Sequence, residues 1–187
     1  KAENYGLSYG TWSTRTDERP SFAYFRGAWR SMLATTGFRS AYPAIIPPGP
    51  CHVDLVVTGG PISNNKEISG ITFMTSILLD FYLRSSGASH LRSAQVNVLP
   101  FRLIEGTTEP LASTFLRLNC LTSAYAPLWE EITGTPWTVD TPIRRAWDRQ
   151  QAQNEIDAMV ALSLGVTADE LCMIYRTQFP VMRKYDL

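Results

Sequence analysis

Phe38–Val57, FRSAYPAIIPPGPCHVDLVV, is the stretch on which the fold turns. Ala44-Ile45-Ile46 and Val53-Asp54-Leu55-Val56-Val57 are short apolar runs, rich in the β-branched residues that suit a pleated surface. Between them sits Pro47-Pro48-Gly49-Pro50-Cys51-His52. Proline presets φ and glycine tolerates positive φ, so this segment reads as a stiff turn joining two strands. Arg39 precedes the first strand and His52 follows the prolines. A rigid pair of strands with polar residues at its rims suits a binding surface better than a reaction centre.

Working outward, Thr58–Ser69 (TGGPISNNKEIS) has the glycine, proline and asparagine content of a loop. A helix follows from about Ser69 to Arg84, where Ile71, Met74, Leu78, Phe81 and Tyr82 form one apolar stripe, with Ser69 as its cap and Gly87 beyond its end. Asn97–Phe101 reads as a further strand ended by proline. Upstream, Phe22–Arg26 is a short aromatic strand, and residues 1–21 form an extended leading segment. Gly27–Gly37 fits either a helical turn or a loop. Beyond residue 105 the pattern is helical. Helices are expected from Thr108-Glu109-Pro110, over Pro127–Gly134, and from Thr141-Pro142 to Leu164, the last roughly 35 Å long. Thr167 and Glu170 have capping-box spacing and start a final helix that stops near Phe179-Pro180. The class is α+β: a small mixed sheet with a packed core helix over residues 1–104, then a mainly helical part over 105–187 with a long spacer-like helix.

The chain has 187 residues and is formally neutral, with 17 Lys+Arg against 17 Asp+Glu. Residues 1–104 hold 10 basic and 6 acidic side chains, and residues 105–187 hold 7 and 11, so the two parts carry +4 and −4. A basic first part suits phosphates. The 3 cysteines are widely spaced with no CxxC, which suggests neither a disulfide framework nor a zinc ribbon and fits a reducing cytoplasm. No apolar run approaches the ~18 residues of a membrane span, and the polar start KAENYGLSYG is no signal peptide. A chain that begins on Lys1 rather than Met is expected to belong to a longer protein.

Several segments together resemble a known family. Asn154–Leu162 (NEIDAMVAL), Leu164-Gly165-Val166, Asp169-Glu170-Leu171 and Phe179-Pro180-Val181 are similar to the closing segment of the large adenine-specific DNA methyltransferases of type II (type IIG-like) restriction–modification and related phage-defence systems. Leu164-Gly165-Val166 stands where that family usually has Tyr-Gly-Leu. Phe25-Arg26, Arg39, Ala44–Gly49 with His52, and then Ser76–Arg84 (SILLDFYLR) with Leu99-Pro100-Phe101, resemble its upstream segments in the same order. The resemblance implies a target-recognition region that binds double-stranded DNA and confers sequence choice on a methyltransferase domain lying N-terminal in the same parent chain. The parent would be a site-specific adenine N6-methyltransferase using S-adenosylmethionine. The family's Asn/Asp-Pro-Pro-Tyr/Phe tetrapeptide is missing, because Ile46 precedes Pro47-Pro48, and no glycine-rich donor loop follows a strand. This stretch is therefore expected to hold no cofactor and to carry out no methyl transfer itself.

On this reading the DNA-contacting candidates are Arg26, Arg39, Arg84 and Arg92, whose planar forks suit phosphates or a guanine edge. Asn64, Asn65 and Lys66 join them in the loop, as two amides for base edges and an ammonium for phosphate. Against this stands the plainer reading of surface arginines paired with Asp54 or Asp80, and of asparagines that build turns. Cys51-His52 reads as structural, since adjacent side chains rarely converge on one atom. Asp17-Glu18 and Glu130-Glu131 read as solvated charges, and Ile143, Trp147 and Ile156 as packing. The alternative function is a protein-interaction module of a phage-defence complex, using the acidic second part against a basic partner.

Overall fold

The computed structural model describes residues 10–185 except 15, 35 and 103–105. The first nine residues of the leading segment, Arg15 within its charged centre, and the proposed 104/105 boundary lie outside the described residues. Two strands, β1 (Thr11–Ser13) and β2 (Glu18–Pro20), form an antiparallel ribbon. A second antiparallel sheet holds β3 (Arg26–Arg30), β4 (Ala44–Ile46) and β5 (Val56–Gly59) in the order β4-β3-β5. Helices α1 (Asn65–Phe73), α2 (Ile77–Ser85) and the single turn α3 (Ser93–Val96) follow. Then come α4 (Thr108–Asn119), α5 (Ala126–Thr133), α6 (Ala146–Leu164), α7 (Ala168–Gln178) and α8 (Pro180–Tyr185). The class is mixed α and β with a mostly helical second part, as the sequence suggests.

The proline segment does not join neighbouring strands. β4 and β5 flank β3 on either side, with Ala28 opposite Ala44 on one edge and Thr58 on the other. The aromatic strand expected at Phe22–Arg26 lies further along, at Arg26–Arg30, and Ser21–Ala23 is a 3-10 turn. At Gly27 a Cβ would sit 2.2 Å from Ile71 Cδ1, so a larger residue there would force the Ile71 side chain of α1 to move. The outer edge of β4 is closed by a side chain that imitates a strand. Asn119 accepts from Ile45 N–H and donates to Ile45 C=O, each at 2.9 Å, and the Tyr125 hydroxyl donates to the same carbonyl at 3.0 Å. Asn97–Phe101 is not a strand. It has no partner strand, and its amides fold back in turns, with Leu99 N–H donating to Val96 C=O.

The single helix expected over Ser69–Arg84 is two helices. Asn64 caps the first, accepting from Glu67 N–H at 3.0 Å, and Ser76, extended at φ −71° and ψ 151°, caps the second by accepting from Leu79 N–H. Thr75 Oγ1 turns back to Thr72 C=O at 2.7 Å at the break. The loop reading of Thr58–Ser69 therefore shrinks to Gly60–Asn64, because Thr58 and Gly59 belong to β5 and Asn65 opens α1. The long helix also starts later than Thr141. Ile143 N–H donates to Arg117 C=O at 2.8 Å and Arg145 is extended, so α6 begins at Ala146. Its 19 residues span about 28 Å. Gly165, at φ +74°, ends it in the left-handed conformation that glycine adopts without strain. Thr167 and Glu170 form the expected capping box, and the Thr167 bonds hold the Glu170 carboxyl below its ordinary value.

One core runs through both parts of the chain. Trp29 and Ile45 of the sheet, Ile68 and Phe73 of α1, Leu79 and Leu83 of α2, Leu111 and Leu116 of α4, Ile156 and Val160 of α6, and Phe179 all belong to it. Helix α1 packs on α4, and α2 on α6, across the 104/105 boundary. Among the described residues no helix is long and apolar enough to cross a membrane.

Candidate nucleic-acid interface

The break between α1 and α2 is where the chain is joined most tightly. Asp157, buried on α6, accepts from the newly exposed Ile77 N–H at 2.7 Å through one oxygen and from Arg39 Nη2 at 2.8 Å through the other. Thr75 C=O, freed by the same break, accepts from Arg39 Nη1 at 3.4 Å and from Gln153 Nε2 at 3.3 Å. One turn along α2, both Asp80 oxygens accept from Ser40 N–H at 3.0 Å. Asp80 also pairs with Arg84, Nε to Oδ1 at 3.2 Å. Arg84 Nη2 donates to Gly37 C=O at 2.9 Å, and its guanidinium lies 4.5 Å over the Phe179 ring. Burial outweighs the attraction of Arg39 and holds the Asp157 carboxyl above its ordinary value.

Arg39 and Arg84, two of the arginines expected at DNA, thus belong to this internal framework. Arg26 is 0% exposed in β3 and donates through Nη2 to Pro50 C=O. None of these three guanidinium groups reaches a phosphate in this conformation. The plainer reading of ion pairing with Asp80 describes Arg84. Asn64 spends its side-chain oxygen on the helix cap, and Glu67 closes the turn by accepting from Ser63 N–H at 2.6 Å. Asn65 is half-buried at the start of α1, and Lys66 beside it is exposed. Arg92 is exposed elsewhere, on a cleft of about 490 Å³ beside β5 with His52, Asp54, Thr58 and Trp12. The structure gathers Arg39 with Arg84, and Asn64 with Asn65 and Lys66, and leaves Arg92 apart, at the start of α3 on the cleft beside β5.

Burial also changes the charge argument. Arg26, Arg39 and Asp80 are buried and Arg84 nearly so. The accessible described charges of the first part are then Arg19, Arg30, Lys66, Arg92 and Arg102 against Asp17, Glu18, Asp54 and Glu67. Burial of three arginines against one aspartate halves the +4 of the sequence, leaving 7 basic and 5 acidic side chains, Lys1, Glu3 and Arg15 among them lying outside the described residues. The second part, with Asp157 withdrawn, keeps 7 basic against 10 acidic side chains, an excess of three negative charges.

Chemistry elsewhere is sparse. His52 Nε2 faces Thr58 Oγ1 at 3.2 Å while Cys51 Sγ lies 4.0 Å from Gly49 C=O, so the two do not converge. Burial pushes the Cys120 thiol up to about 12, which keeps it protonated and unreactive at neutral pH. Among the described residues no three His, Cys, Asp or Glu side chains converge as a metal site requires. Trp147 is a correction to the packing stripe, being 72% exposed while Ile156 is fully buried. Nine residues of helix are two and a half turns, so these two positions face opposite ways. No family model, curated protein or solved structure matches the chain.

Proposed function

We propose that this chain is the duplex-DNA target-recognition region of a site-specific adenine methyltransferase whose donor site and chemistry lie elsewhere in its parent protein. One observation carries the reading. The segments that resemble that family are far apart in sequence, yet their polar residues meet in one buried framework. Arg39 comes from the first segment, Asp80 and Arg84 from the second, Asp157 and Phe179 from the last. Chance similarity of short motifs gives no reason for such a meeting, whereas a shared architecture does. The framework ties the Gly37–Ser40 segment ahead of β4 to the α1–α2 break, to α6 and to the α7–α8 junction. The residues left for DNA are Asn65 and Lys66 at the start of α1 and Arg92 at the start of α3.

With so little excess charge, few phosphates are neutralised and the salt dependence is shallow. Each contacted phosphate contributes about −0.9 to the slope of log Kobs against log salt. Anisotropy titration of a labelled duplex from 50 to 200 mM salt is expected to give a negative slope that becomes shallower by about one for Lys66→Ala and again for Arg92→Ala. A slope of zero, or one that neither substitution changes, would remove this surface from DNA.

A further inference from the structure

A second open feature lies on the far side of the framework. Helices α6, α7 and α8 enclose a cleft of about 720 Å³, within the range of ligand sites. Its lining is unlike that of the sheet cleft. Trp147 at the start of α6 and Tyr185 at the end of α8 are each 72% exposed, and both line it with Tyr175. Trp147, Gln150 and Asn154, spaced i, i+3 and i+7, bring an aromatic face and two carboxamides to one side of α6. Gln150 Nε2 donates to Asn154 Oδ1 at 3.0 Å. That leaves Gln150 Oε1 as an acceptor beside Asn154 Nδ2 as a donor.

Among the described residues the charged side chains in the lining are Arg39 and Asp157, which neutralise one another at 2.8 Å. The described lining therefore favours neither a phosphate nor a cation. Its chemistry is an aromatic stacking face, a donor–acceptor couple on amides and no net charge. A planar, neutral heterocycle with adjacent donor and acceptor groups on its edge matches all three. We infer that the α6–α7–α8 cleft binds an unpaired nucleobase, stacked on Trp147 and held at its edge by Gln150 and Asn154. The charged backbone of a strand would remain outside. This inference does not rest on duplex recognition, since the cleft and the α1 surface are separate.

Anisotropy of a labelled ten-nucleotide single strand, titrated with the chain, is expected to saturate. Base–aromatic stacking sets the size of the effect, so Trp147→Ala should weaken binding about tenfold and Trp147→Phe less. Gln150→Ala with Asn154→Ala should weaken it while leaving thermal unfolding unchanged, because both side chains lie on the helix surface. Equilibrium dialysis with labelled adenosine separates the sources. Retention of the nucleoside, lost in Trp147→Ala, points to a free base, and retention of the strand alone points to a base carried on nucleic acid; either supports the site. Equal binding of an abasic strand, equal affinity in Trp147→Ala, or no binding of strand or nucleoside would overturn it. A chain that binds duplex as described above yet fails here loses only this cleft.

Discussion

Asp157→Ala is expected to lower the unfolding free energy by about 3–5 kcal/mol, because it leaves the Arg39 guanidinium buried without its counter-charge. The same change removes the acceptor of the Ile77 amide, so the first turn of α2 loses its anchor to α6. Denaturant unfolding followed by circular dichroism reads the loss, and a change below about 1 kcal/mol would show that the pair is not sealed from water. The double variant Arg39→Met with Asp157→Leu should recover most of the loss, since well-packed apolar residues replace a buried ion pair at little cost. The pH dependence has an unusual sign. A carboxyl whose folded pKa is raised binds its proton more tightly in the folded state. Its contribution is fully present below the unfolded pKa and is lost as pH rises through the folded pKa. The stability of the native chain relative to Asp157→Asn should therefore grow on acidification from neutral pH, opposite to the usual course for a paired carboxylate.

Phe179→Ala should be nearly as costly, at about 3–5 kcal/mol. Phe179 is 1% exposed, lies at the α7–α8 junction, and carries the Arg84 guanidinium on its ring. Truncation opens a cavity and removes the aromatic face at once. Because Arg84 also holds Asp80 and the Gly37 carbonyl, the loss should couple to Asp80. In a double-mutant cycle the two changes should fall short of additivity by 0.5 kcal/mol or more, the scale of residues that share a network. Strict additivity would mean that the Phe179 contact and the Asp80 pair are independent.

The sequence was most legible where structure is decided locally. The Thr167–Glu170 capping box and the helix stop at Gly165 rest on neighbours a few residues away. The single helix across Ser69–Arg84 could not be resolved into two from its apolar stripe, because both halves bury the same kinds of residue. The break exists to serve Asp157, 80 positions from Ile77. The arginines show the same limit. A guanidinium at a strand or motif position looks alike in sequence whether it meets solvent or a carboxylate 118 positions away, as Arg39 does with Asp157. For Arg26 a signal was present in the following Gly27-Ala28-Trp29, an apolar run that suits a central strand better than a surface. Reading Ile143, Trp147 and Ile156 as one stripe hides the cleft, although a spacing of nine already sets Trp147 opposite Ile156 on any helix.

The most direct test of a target-recognition role is selection from a randomised duplex pool. The chain, or its parent protein, is retained with bound DNA, and the recovered sequences are compared with the starting pool. The account predicts enrichment of a short defined sequence, with Asn65→Ala relaxing the preference at one position by roughly 1–3 kcal/mol. Recovery of bound duplexes with no sequence enrichment, or no retained duplex at low salt, would contradict it.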